Sequence, residues 1–275
     1  MPGRPIVFIS DFGLEDEFVG ICHGVIAQVS PDSTVIDLTH GVPAHDVLRA
    51  AVVLAESIPF MPEDAVFLAV VDPGVGTNRR AVALECGGGA VLVGPDNGVL
   101  SQAWAALGGV ARAVEIVSER VLLPAASRTF HGRDVFAPAA AHVAAGTALD
   151  DLGPSIDGGG LTEVALHEPV ASDGRLQAEV LAVDRFGNVQ LNVRDEHLLQ
   201  AALTDEVLLQ VRTVWQAVTV RRASTFGDVA SGEFAALIDS RGWLAVVRNG
   251  GSAAAALRLE LGNPVVVEVP DRPAG

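Results

Sequence analysis

The chain has 275 residues, enough for one large or two modest domains with a sizeable core. A net charge of −16 with no basic stripe argues against nucleic acid as a partner, and no apolar run reaches the ~18 residues of a membrane span. All 18 basic residues are arginines and tyrosine is absent, which removes Schiff-base and Walker lysines and any phenolic acid.

The N-terminus "MPGRPIVFISD" enters a strand-like run at once, leaving no room for a signal peptide, so a cytoplasmic protein is expected. Strand-like runs follow at Ile6–Ser10, Thr34–Leu38, Ala65–Val71, Ala81–Glu85 and Ala90–Gly94. Helix-like segments Glu15–Val29, Asp46–Ile58, Leu100–Leu107 and Arg133–Ala145 lie between or after them. This alternation predicts an α/β sheet domain over residues 1–160, and "CGGGA" between two strand runs predicts a hairpin in a mixed sheet. A linker over 161–175 is expected after the Pro, Asp and Gly of "DDLGPSIDGGG". Residues 176–275 then carry closely spaced strands with little helix beyond "SAAAALRL", which reads as a small β-barrel-like domain. Cys22 and Cys86 form no CxxC and read as buried small hydrophobes.

Four polar segments stand where strands of the first domain are expected to end. In "FISDFGLEDEFVG", Asp11 follows the first strand, placed either to cap the next helix or to accept both hydroxyls of a ribose. In "AVVDPGVGTNRRAVALE", Asp72 ends an apolar run and Arg79 is close enough to pair with it, as a turn acid or as a site acid. "GPDNGVLS" is a third such segment, and "SRTFHGRDVFAP" with His131 and Gly132 is a fourth. Loops at one edge of an α/β sheet share a rim, where ligands bind. In the second domain "VDRFGNVQLN" offers Asp184, Phe186 and Asn188, and "DSRGWLAVVRNGGSAA" offers Ser240, Arg241 and Arg248. An aromatic plus an amide suits an adenine, and arginine beside serine and aspartate suits an amino-acid headgroup. The seven histidines form no HxH or HExxH pair, so no metal is expected, although a carboxylate-rich magnesium site is left open.

Together "SDFGLEDEFVGICHGVI", "VVDPGVGTNRRAVAL", "GPDNGVLS", "TFHGRDVFAPAAAHVAAG" and "DRFGNVQLNV" resemble the S-adenosyl-L-methionine (SAM) hydroxide adenosyltransferases, kin of the fluorinases and chlorinases. The resemblance implies water or hydroxide attack at ribose C5′, giving adenosine and L-methionine with no cofactor. It also implies a homotrimer whose active sites lie between subunits. Asp72, Arg79 and His131 match the family's triad around the attacking water; which group takes the proton stays open. Asp11 would hold the ribose diol, and Asp16, Asp184, Ser240 and Arg241 the methionine end. Phe186, Asn188, Phe226, Arg248 and Gly250 would frame the adenine, while Phe130 and Gly132 line the nucleophile pocket.

The chain departs from its halogenating relatives at Phe18, where they place a small polar residue, and at His45, where they place a tryptophan. Its "SRG…VRN" is closer to theirs. Against halide use stands Asp72: a carboxylate ~4 Å from a halide costs about 4 kcal/mol at an effective dielectric near 20. The chain also lacks a long insertion after "AVALECGGG". A halide-using adenosyltransferase and a non-catalytic adenosyl-ligand sensor are the alternatives; a sensor would not need the triad.

Overall fold

The computed structural model describes residues 3–124 and 127–270. The chain divides into two compact units, Met1–Ala165 and Leu166–Gly275.

The first unit runs β1 (Ile6–Ser10), α1 (Phe18–Val29), β2 (Val35–Thr39), α2 (Val47–Ser57), β3 (Val66–Val70), β4 (Ala81–Cys86), β5 (Val91–Pro95), α3 (Ser101–Ala106), β6 (Val110–Glu115), α4 (Ala137–Ala144) and β7 (Ser155–Ile156). Its sheet has the order β2-β1-β3-β5-β4-β6-β7. The pairs β1–β2, β1–β3 and β3–β5 are parallel, whereas β4 pairs antiparallel with both β5 and β6. The sheet is therefore mixed, with the "CGGGA" hairpin joining β4 to β5. Every residue of β1 and β3 is buried, as expected of central parallel strands covered on both faces. Alternate residues of one strand serve opposite layers. Ile6, Phe8 and Leu68 pack with α1 and α4, while Val7, Ile9 and Phe67 pack with α2 and α3. Strands β6 and β7 were not anticipated, because "VARAVE" carries only a weak apolar pattern. Cys22 and Cys86 are free and buried, and burial pushes each thiol up to about 12.

The second unit runs β8 (Val170–Ser172), β9 (Arg175–Val183), β10 (Val189–Leu191), α5 (Asp195–Gln200), β11 (Leu208–Arg212), β12 (Ala217–Arg222), β13 (Phe234–Ile238), β14 (Leu244–Arg248), α6 (Ala253–Leu257) and β15 (Pro264–Glu268). The order β10-β14-β13-β12-β11-β15-β9, with β9 also pairing to β10, closes a seven-stranded barrel to which β8 is appended. Closure leaves no open edge in the ring. Leu176, Val180, Leu191, Val211, Leu244 and Val267 belong to its core. The stretch read as a linker thus contains β8 and the start of β9, and α5 is a helix that the sequence reading did not place.

Candidate active site

Parallel pairing puts the exits of β1 and β3 side by side, with Ser10 opposite Val70. Asp11 therefore leaves the sheet next to the chain that reaches Asp72. Asp11 does not cap α1. That helix starts at Phe18, later than the sequence suggests, and its N-cap Glu17 makes no side-chain cap bond. Instead Asp11 Oδ2 accepts the backbone N–H of His45 at 2.9 Å. His45 holds φ 68°, a left-handed conformation uncommon for a residue with a side chain. Its backbone is thus committed to Asp11 while its ring stays exposed.

The DPGVG turn explains the acid that ends β3. Val75 N donates to Asp72 O at 3.1 Å and Thr77 N to Gly74 O at 3.1 Å, folding the loop so that Arg79 returns over Asp72. Arg79 Nε lies 2.9 and 3.0 Å from the two carboxylate oxygens, and Nη2 donates to Oδ2 as well. Both side chains are largely buried, at 11% and 6% exposure for Arg79 and Asp72. The same Nη2 lies 2.6 Å from His131 Nδ1. A guanidinium only donates, so Nδ1 accepts and the proton of the neutral ring rests on Nε2. Burial and the Arg79 cation lower the His131 pKa, against the opposing pull of Asp72 and Asp134, which favours the neutral ring. Gly76 has φ 78°, and a Cβ there would lie 2.7 Å from Arg128 O, so glycine lets the loop meet the segment leading to His131.

His131 does not follow a strand, contrary to the sequence reading. It precedes a π-helical turn, Gly132–Phe136, that runs into α4. Pro138 has no N–H for the Asp134 carbonyl, which accepts Leu123 N at 3.1 Å instead. The buried Asp134 carboxylate accepts Ser127 N at 2.7 Å and Arg133 Nε at 2.5 Å. Asp134 thereby pins the loop bearing Phe130 and His131, a positioning role the sequence reading missed.

Asp11, His45, Asp72, Val75, Phe130, His131 and Gly132 line one cavity of about 210 Å³ with Phe12, Val70 and Thr129. Phe12, Phe18 and Phe130 form an aromatic wall, with ring centroids 5.0–5.8 Å apart. Phe18 is thus part of an apolar cluster. A Cβ on Gly132 would reach 2.8 Å from the Phe12 ring. Asp16 is exposed in the bend before α1 and does not line this cavity. The third segment braces rather than binds: Asp96 accepts Arg80 Nε at 2.8 Å, and Asn97 donates to Val71 O at 2.8 Å, steadying the entry to Asp72.

In the barrel unit, Asp184, Asn188, Phe226, Ser240 and Arg241 line a cavity of about 360 Å³. Phe186, Asn188, Phe226, Arg248 and Gly250 line a neighbouring one. Asp184 is also a turn former, accepting Phe186 N and Asn188 N at 2.9 Å each and the Asn188 amide at 2.8 Å. Gln190 and Asp239, not singled out from sequence, complete the first cavity. Asp239 Oδ1 accepts Arg241 N at 2.8 Å, and its position just after β13 was the available signal.

Fold and rim define a class: a mixed α/β sheet unit with an acid–arginine–histidine group at its edge, followed by a closed β-barrel. Residues 6–153 match the SAM hydroxide adenosyltransferase N-terminal domain and residues 178–266 its C-terminal domain, so the chain belongs to that family. It is 51% identical to the (R)-S-adenosyl-L-methionine hydrolase of Salinispora tropica, over 90% of this chain and 92% of that protein. Identity to the Thermus thermophilus protein of the same name is 44%, over 95% and 98%. A fluorinase of Actinoplanes is 29% identical, over 96% and 98%. An uncharacterized conserved protein from Thermotoga maritima has the same fold, with a TM-score of 0.89 at 34% identity, covering 96% of this chain and all of that one.

Proposed function

We propose that the protein hydrolyses S-adenosyl-L-methionine by attack of water at ribose C5′, releasing adenosine and L-methionine. The contact of Asp72, Arg79 and His131 at the cavity that also holds Asp11 carries this reading. The sulfonium is already a good leaving group, so the site has only to hold a polarised water in line with the C5′–S bond. The His131 Nε2–H donates to the water oxygen and the Asp72 carboxylate accepts one of its protons as the C–O bond forms. Arg79 fixes both partners and the ring tautomer. Asp11 takes the ribose diol.

The barrel of a neighbouring subunit supplies the remaining contacts: Phe186 and Phe226 stack on adenine beside Asn188, Arg248 and Gly250, and Ser240 and Arg241 hold the methionine headgroup beside Asp184. Asp16 joins that end once substrate is bound. Phe186 and Phe226 are 72% and 50% exposed in the single chain, which supports an assembly in which a neighbouring subunit covers them; the homotrimer is the assembly that the family resemblance implies. No described helix is long and apolar enough to cross a membrane. A cytoplasmic enzyme needing no cofactor fits this chemistry.

Incubating the protein with S-adenosyl-L-methionine in H₂¹⁸O, without added metal, tests the proposal. Adenosine labelled at its 5′ oxygen, with free methionine, is the expected result. Intact ligand, or unlabelled adenosine, would refute it.

A further inference from the structure

Outside this cavity, three side chains of the first unit converge on one point. His23 comes from α1, Asp37 from β2, and His40 from the residue after β2. His23 Nε2 lies 2.8 Å from Asp37 Oδ1, and His40 Nε2 lies 3.0 Å from the same oxygen. The available donor atoms all lie within 4.8 Å of one another. The His40 side chain is 2% exposed, whereas those of His23 and Asp37 are 36% and 42% exposed. The cluster is therefore anchored on one side and open to water on the other.

We propose that His23, Asp37 and His40 bind one divalent transition-metal ion of the zinc type, as a structural site separate from catalysis. Two imidazoles and one carboxylate suit zinc or cobalt better than magnesium or calcium. A tetrahedral ion with bonds of ~2.0–2.1 Å spaces its ligand atoms roughly 3.3 Å apart, so the two histidine–Asp37 spacings need open by only a few tenths of an ångström, while the two histidine nitrogens lie within 4.8 Å of each other. Water completes the coordination through the exposed side. The second ring nitrogen of His40 already has the partner a ligating histidine requires, since Nδ1 lies 2.7 Å from Ser10 Oγ. The Phe8 ring packs on His40 with centroids 4.6 Å apart and fixes its plane.

The same histidine braces the turn that carries Asp11. Ser10 Oγ accepts Phe12 N at 3.3 Å, and the His40 carbonyl accepts Gly13 N at 2.8 Å. An ion on His40 would tie α1, β2 and this turn together. No step of the hydrolysis passes through it. The sequence reading expected no metal because the ligands come from separate elements; Asp37-x-x-His40 was the only local hint.

The test uses full-length protein stripped with EDTA, titrated with Co²⁺ and then Zn²⁺, and followed by visible absorption and thermal melting. One equivalent of Co²⁺ should give a ligand-field band that Zn²⁺ abolishes, with a raised melting temperature. His23→Ala, on a partly exposed helix face, and Asp37→Asn should each weaken binding ~10-fold or more. Adenosine formation by the stripped protein should continue. Absence of saturable binding, or binding unchanged in both variants, would overturn the site. Loss of turnover on stripping, restored by the ion, would overturn its separation from catalysis.

Discussion

Replacing Asp72 with asparagine separates the charge of this side chain from its shape. The carboxylate accepts Arg79 Nε at 2.9 and 3.0 Å and Nη2 as well, and it is 6% exposed. Asparagine keeps one oxygen for the guanidinium and loses the charge. Truncating one partner of a buried pair costs ~3–5 kcal/mol; because one acceptor survives, about 3 kcal/mol is expected, visible as a lower melting temperature of the free protein. The catalytic effect is separate. The water loses its anionic acceptor, and turnover should fall ~10²-fold or more while substrate still binds. The same change removes a repulsion worth about 4 kcal/mol for a halide ~4 Å away. In concentrated chloride, Asp72→Asn should therefore form 5′-chloro-5′-deoxyadenosine above the wild-type level. Chromatography with mass detection reads adenosine, methionine and the chloronucleoside in one run. A folded Asp72→Asn protein that hydrolyses at the wild-type rate would refute the role given to this acid.

His131→Ala should likewise lose ~10²-fold in turnover with binding retained, measured by single-turnover kinetics and equilibrium dialysis. Burial and Arg79 place the His131 pKa below the usual 6.5, so turnover should hold down to that pH and fall only further into acid. The unfolded chain binds this proton more tightly, so the neutral ring's contribution to stability is present above pH 6.5 and fades as pH falls through the folded pKa; melting against pH for wild type and His131→Gln checks the sign. Phe186→Ala should cost ~1–3 kcal/mol of base stacking, appearing mainly as a higher KM. Gly76→Ala forces a Cβ to 2.7 Å from Arg128 O at φ 78°, which should cost ~1–3 kcal/mol in a melting experiment and reduce turnover by shifting the loop before His131.

Much of this protein was legible without coordinates. The apolar runs of β1 and β3 announce central strands because parallel strands buried on both faces tolerate no polar alternation. The pairing of Asp72 with Arg79 was readable from its motif because a tight turn and an ion pair seven residues apart are local events, whereas His131 entered beside them only through the family resemblance. The helix boundary at Phe18 and the π-helical turn after His131 were not readable, since both depend on which backbone groups find distant partners. The brace from Asp134 to Ser127, the contact of Arg79 with His131 across 52 residues, and the meeting of His23 with Asp37 and His40 belong to the same class. Sequence alone therefore determined the two-unit architecture and the residue types available for chemistry, because hydrophobic period and turn chemistry act over short distances. The tertiary structure decided the tautomer of His131 and the convergence of the histidine pair, because both depend on side chains brought together by packing rather than by proximity along the chain.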